Sequence, residues 1–359
     1  MQSFDFTVKN SRVLESYKVA TFKGERYGCT LSLLFTIATL CLALYSSLIS
    51  AEISMVEDKH LSAQQWLKKM QAAEGKENYR GTFVFMRGPI SSTMSVVHRY
   101  QQGVEQERLK QLDGAMGEII RTGTEVMCVF PDRKVVQIEQ SPTSKSAASI
   151  FANFMPEQSE YDVSILGVDR MIERSCIKLG ITAMDNDRYS YRLWLDQATG
   201  LLLKSTMLNA KGEELERFQY TQVEFPERII DQELQAMNQG EVITHEVMPA
   251  IKAEISWPDK MMWEAGWTPK GYMKVNGAFK SGKNVMVFSD GLASYSVFVE
   301  ALKNDAMPEG ASQVGATIAY SHQKHYDEQQ YNITVIGEIP AMTAMKIAES
   351  VQAVSAYKE

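Results

Sequence analysis

The chain has 359 residues, 37 Lys and Arg against 44 Asp and Glu, a net charge of −7 and 45% hydrophobic residues. That apolar fraction, with no long low-complexity tract, argues against global disorder. The acidic balance argues against a nucleic-acid binder, because the phosphate backbone would repel it.

In chain order, Lys9, Arg12, Lys18, Lys23 and Arg26 precede an apolar run from Cys29 to Ile49 that holds no acidic residue. A basic stretch followed by an apolar one is the layout of a secretory signal, with cleavage expected after Ala51. The run is 21 residues long, near the length that spans a bilayer, so residues 1–51 are a signal peptide or an uncleaved anchor. Without them, 32 basic and 41 acidic residues remain, a net charge of −9.

Residues 61–74 carry an apolar stripe of Leu61, Trp66, Leu67 and Met70. Ser62 and Gln65 stand at capping-box spacing, which predicts a helix there. Short strands follow at Thr82–Arg87, Thr93–Tyr100, Glu107–Leu112, Glu118–Arg121, Glu125–Phe130 and Lys134–Gln140. Ser141–Pro156 is polar at one end and apolar at the other, and is expected to form a lid. Strands resume at Tyr161–Val168 and Met171–Leu179. Tyr189–Phe225 then reads as a three-stranded meander, because Tyr189, Tyr191, Leu193 and Leu195 alternate with Ser190, Arg192, Trp194 and Asp196. Residues 229–239 are expected to be helical and 240–254 to form a linker. Past it, strands are expected at Asn284–Ser289, Ala293–Glu300, Thr317–Tyr320 and Tyr331–Ile336, with a closing helix near Thr343–Ala353. The fold class is α+β, mostly antiparallel β, with a large domain over 52–239 and a smaller one over 255–359. A meander of this kind builds one wall of an open barrel that can enclose an apolar cavity.

Motifs with chemistry are few. GAFKSGKN at 277–284 lacks the Ser or Thr and the following helix of a P-loop, and reads as a lysine-rich hairpin. His322 and His325 lack further zinc ligands nearby and sit in what reads as a solvated loop. Asp185, Asn186 and Asp187 lack the glycine and glutamate of a calcium loop and read as a turn before a strand. Asn332-Ile-Thr334 matches a glycan acceptor but falls inside a strand. Cys128 and Cys176 would pair in an oxidising compartment, or stand as two buried thiols. Trp257, Trp263, Trp267 and Tyr272 form an aromatic cluster, read either as core or as a partner surface for a peptide or acyl chain. There is no catalytic constellation, so the chain reads as a binder rather than an enzyme, with no cofactor.

The segments ENYRGTFVF (77–85), VVHRY (96–100), EIIRTGTEVMCVFPD (118–132), RYSYRLWLDQATGLLLKSTMLNAKGEELERFQY (188–220), the tryptophan cluster at 257–267, SDGLASYSVFVE (289–300) and TVIGEIPAMTAMKIAESV (334–351) together resemble the MucB/RseB family of sigma-E regulatory proteins. The resemblance implies a periplasmic protein with a LolA/LolB-like open half-barrel and a smaller sheet-and-helix domain. It implies binding to the periplasmic part of a membrane-spanning anti-sigma factor, which is thereby shielded from a site-1 protease. It further implies release by lipopolysaccharide or another lipid-bearing ligand. On that reading Phe83, Phe85, Val97, Leu109, Tyr191, Leu193, Leu195 and Leu202 line a ligand groove. Arg80, Arg87, Arg99 and Arg108 then hold lipid phosphates at its rim. A lipid or lipoprotein carrier is the competing reading, and a homo-oligomer is left open.

Overall fold

The computed structural model describes residues 61–130, 151, 154–156, 159–237, 241–246, 263–280, 283–302 and 308–354. The expected signal segment, the strand at 134–140, most of the expected lid and Trp257 lie outside the described residues.

Helix α1, Ala63–Lys76, starts where the capping box places it. The Gln65 amide donates to Ser62 Oγ (3.2 Å) and the Ser62 amide to Gln65 Oε1 (2.7 Å). Reciprocal bonds of this kind satisfy two of the donors that a helix start leaves open. Its stripe of Trp66, Leu67, Met70 and Ala73 is buried.

The helix packs on an eleven-stranded antiparallel sheet. The strands are β1 (Tyr79–Arg87), β2 (Ile90–Gln101), β3 (Val104–Gln111), β4 (Glu118–Thr122), β5 (Glu125–Phe130), β6 (Tyr161–Met171), β7 (Arg174–Ala183), β8 (Ser190–Asp196), β9 (Leu202–Leu208), β10 (Glu214–Glu224) and β11 (Glu241–Glu246). Their order is β11-β5-β4-β3-β2-β1-β10-β9-β8-β7-β6. β1 therefore pairs with β10, and two meanders are joined side by side without closing a barrel.

A six-stranded antiparallel sheet follows, with order β13-β14-β15-β18-β17-β16. Its strands are β13 (Met273–Lys280), β14 (Lys283–Ser289), β15 (Ser294–Ala301), β16 (Gly310–Val314), β17 (Thr317–Tyr326) and β18 (Gln329–Gly337). Helix α2, Ala341–Ser350, begins just after Pro340 and packs on β17 and β18. The small pair β12 (Trp263–Ala265) and β19 (Val351–Ala353) ties the two ends of this unit together. Val297, Val299, Ile333, Val335, Ile347 and Trp263 form its core. Among the described residues, no helix is long and apolar enough to cross a membrane.

Several expectations need correction. Of the expected helix at 229–239, the described part, 229–237, holds only a short 3-10 turn, Asp231–Leu234. The carbonyls that a longer helix would use for itself accept from arginines of β2 and β3: Arg99 Nη1 donates to Ile229 O (2.9 Å) and Arg108 Nη1 to Glu233 O (2.7 Å). Part of the expected linker, Glu241–Glu246, is strand β11 on the edge of β5. Its β-branched run, Val242-Ile243-Thr244, favours a strand. His322 and His325 lie on β17 rather than in a loop. Cys128 on β5 and Cys176 on β7 are not joined, since seven strands separate their positions in the sheet. The hairpin reading of 277–284 agrees with the β13–β14 ladder. Asn332 is buried and donates to Thr334 Oγ1 (3.0 Å), so its amide faces away from any glycan.

Candidate functional site

The sheet register sorts the expected groove residues by face. Phe83 and Phe85 on β1 stand opposite Tyr220 and Phe218 on β10, on the side that α1 covers. Phe83 lies 4.9 Å from Phe218 and 5.8 Å from Tyr220 between ring centroids. Leu109, Tyr191, Leu193, Leu195 and Leu202 join the same core and are buried. Phe83 and Phe85, with Met94 and Ile119, remain only partly buried against it. Of the expected inner-face groove residues, Phe83 and Phe85 are thus the two that keep exposed apolar surface. Val97 lies on the opposite face, and its neighbour Val96 takes the inward position. Two adjacent valines leave the parity of a strand undecided in sequence, and one step reverses the face.

The apolar end of the expected lid reaches this core. Phe151 is buried edge-on against Tyr191 (5.7 Å), and Phe154 packs against Tyr161 (5.6 Å). Gln71 on α1 holds the Phe151 carbonyl at 2.7 Å.

The four rim arginines do not gather at one mouth. Arg80, Arg99 and Arg108 lie on the face away from α1, where they fasten the segment after β10. Arg80 Nη1 meets Glu233 Oε2 (2.8 Å) and Arg99 Nη2 meets Asp231 Oδ1 (2.7 Å). Buried Glu118 accepts from the Met237 amide (2.8 Å) on the same face. A polar cleft of about 590 Å³ opens here, lined by Asn78, Arg99, Tyr100 and residues 227–232. Arg87 alone lies on the inner face, paired with Glu216 at 2.9 Å.

Glu216 marks a seam between the two sheets that sequence reading missed. The tip of the β16–β17 hairpin enters the inner end of the larger sheet. The Ala316 amide donates to Glu216 Oε1 (3.2 Å), and Ala316 is fully buried in the core of the larger sheet. Leu292, from the turn between β14 and β15, joins that core as well. Burial pushes the Glu216 carboxyl above its ordinary pKa, against the pull of Arg87. Glu338 is raised as well, by burial and then by the charge of Glu216.

Arg188 is the centre of the seam. Its side chain is fully buried, with Asp290 Oδ2 at 2.8 Å and Asp185 Oδ1 at 3.0 Å, and it donates to the Lys270 carbonyl. The guanidinium lies over Tyr161 (5.4 Å) and Tyr272 (5.1 Å). Burial alone would lower its pKa; the bond and charge of Asp185, with the charges of Tyr161 and Asp290, outweigh that and raise it. Tyr161 Oη also donates to Asp290 (3.2 Å), and Tyr189 Oη donates to Ile339 O (3.0 Å). Asp187 accepts from Thr343 Oγ1 on α2 (2.9 Å). The Asp185–Asp187 turn thus holds the smaller unit through Asp187, which reaches α2, and through Arg188, which Asp185 fixes in place.

The described members of the tryptophan cluster are engaged inside the smaller unit. Trp263 is 1% exposed and packs edge-on against Tyr331 (4.8 Å) and Tyr326 (5.5 Å), while Trp267 packs against the same core. Tyr272 is buried at the Arg188 seam. Among the described residues, no group of His, Cys, Asp and Glu is placed to hold a metal ion.

Two protein-family models match this chain. Residues 62–238 match the MucB/RseB N-terminal domain, and residues 258–352 match the MucB/RseB C-terminal domain. The chain belongs to the MucB/RseB family. It is 31% identical over 323 residues to the sigma factor AlgU regulatory protein MucB of Pseudomonas aeruginosa, covering 88% of this chain and 97% of the relative. It is 30% identical over 317 residues to the sigma-E factor regulatory protein RseB of Haemophilus influenzae, covering 86% and 96%. Among solved structures, the P. aeruginosa MucA/MucB complex matches with a TM-score of 0.67 at 30% identity, over 82% of this chain and 99% of that one. Family relatives are thus named as regulators of sigma factors, and one of them is solved in complex with MucA.

Proposed function

We propose that this protein is a periplasmic negative regulator of an envelope-stress sigma factor. It binds the periplasmic part of a membrane-spanning anti-sigma factor and shields it from site-1 proteolysis until a lipid-type ligand such as lipopolysaccharide releases it. The observation that carries this reading is the match to MucB as it stands in the MucA complex, across nearly all of that chain.

Release by a lipid requires a ligand that favours the partner-free arrangement over the partner-bound one. The partly buried Phe83, Phe85, Met94 and Ile119 supply apolar surface on the inner face. Each acyl CH₂ buried there would contribute about 0.8 kcal/mol. A carrier using the same face is the second reading, and the same apolar surface favours it. The seam weighs against it: Ala316 and Leu292 of the smaller sheet are built into the core of the larger one, and a simple carrier has no need of that.

The test is digestion of the anti-sigma periplasmic segment by its site-1 protease at saturating regulator, with and without lipopolysaccharide. Slowed cleavage that the lipid restores supports the proposal. Cleavage at an unchanged rate refutes it, and lipid transfer between vesicles would then test the carrier.

A further inference from the structure

The face of the larger sheet opposite α1 carries a group of cations that neither the core nor the seam uses. Lys178 on β7, Trp194 on β8 and Lys204 on β9 are direct neighbours in register. The two ammonium groups lie 4.9 and 4.4 Å from the Trp194 ring centroid. In the adjacent row, Arg192 on β8 and Arg217 on β10 flank Thr206 on β9. Four cations from four consecutive strands therefore form a checkerboard.

Strands lie about 4.8 Å apart and same-face residues about 6.8 Å apart. Cations within one row are thus about 10 Å apart at the backbone. That spacing is too wide for convergence on one phosphate and suits a spread of negative charge. Two carboxylates share the area: Asp169 accepts from the Trp194 indole N–H (2.8 Å), and Glu214 meets Arg217 (2.7 Å). The patch keeps a positive excess in a chain whose net charge is −7. Lys204 is held below its ordinary pKa by burial first and then by the charges of Arg217 and Lys178, which Glu214 and Asp169 oppose without cancelling. Leu166, half exposed, lies over Gly180 beside the cations and adds an aliphatic edge.

We propose that this face docks on an anionic lipid bilayer, with Lys178, Arg192, Lys204 and Arg217 against the headgroups and Leu166 at the margin. The inference is independent of the anti-sigma reading, because the test contains no protein partner.

The experiment is vesicle flotation of protein lacking residues 1–51, which retains the whole compact unit Leu61–Glu359. Vesicles of phosphatidylcholine alone are compared with vesicles that also contain phosphatidylglycerol, at low salt. Binding is expected to the anionic vesicles only and to fall with added salt. Lys178→Met with Lys204→Met keeps aliphatic cover on Trp194 and should weaken binding on the order of 30-fold, at the usual contribution of a basic residue near such a surface. Arg192→Glu, at an exposed position, should weaken it as well without touching the core. Equal binding to neutral vesicles, or undiminished binding by both variants, would overturn the proposal. So would competition by millimolar inorganic phosphate beyond that of sodium chloride at the same ionic strength, which would indicate a site for a free anion instead.

Discussion

Replacing Arg188 with Met tests whether the seam is a structural joint. The substitution removes the fork that meets Asp290 and Asp185 and the donor to the Lys270 carbonyl. The Asp290 side chain is 2% exposed, so it would stay buried with its charge only partly met. Tyr161 Oη and the amides of Leu292 and Ala293 would still reach it. Breaking a buried pair from one side costs about 3–5 kcal/mol, because the remaining charge is uncompensated. With an m-value of about 2–3 kcal/mol/M, the urea midpoint should fall by roughly 1–2 M. A second, lower transition should emerge as the smaller sheet parts from the larger one. Adding Asp290→Asn should recover most of the loss, since the cost lies in the orphaned charge. A loss below about 1 kcal/mol, or a double variant as unstable as the single one, would refute this reasoning.

Three further perturbations bear on the same structure. Gly315 has φ +59°, and a Cβ there would lie 2.5 Å from Arg87 Cγ and 2.8 Å from Glu216 Oε1; Gly315→Ala should cost about 1–3 kcal/mol and loosen the hairpin tip, read by protease sensitivity near it. Met70 is fully buried on α1, so Met70→Ala should cost about 2–5 kcal/mol in urea unfolding. Glu107, Glu216 and Glu338 all have raised folded pKa values, with burial the leading cause. Their contribution is fully present below the ordinary glutamate pKa and is lost as pH rises through the raised folded values, so stability should increase on mild acidification from neutral. Further acidification should reverse the gain as Asp196 and Asp169, whose folded pKa values are lowered, take up protons. Glu216→Gln should shrink the first limb of that profile and leave the second in place.

The elements that were legible in sequence are those whose signals are local. The Ser62–Gln65 box fixed the start of α1, and the alternation through Tyr191, Leu193 and Leu195 gave β8 and its inward face. Val97 was misplaced because Val96 and Val97 satisfy either parity, and only pairing with β3 decides between them. The turn at 229–237 was misread because its carbonyls are held by Arg99 and Arg108, more than a hundred positions earlier. The seam was invisible for the same reason. Arg188 and Asp290 are 102 residues apart, and each has a local explanation, one beside Asp185 and one in a tight turn. The one available hint was an arginine directly after Asp185-Asn186-Asp187, a concentration of charge at the mouth of a strongly apolar strand.

The most direct test of the proposed regulator is the rate of site-1 cleavage of the anti-sigma periplasmic segment as regulator is titrated in. The expected result is cleavage that slows with saturation and recovers when lipopolysaccharide is added. Cleavage that proceeds at one rate at every concentration of the protein would contradict the account.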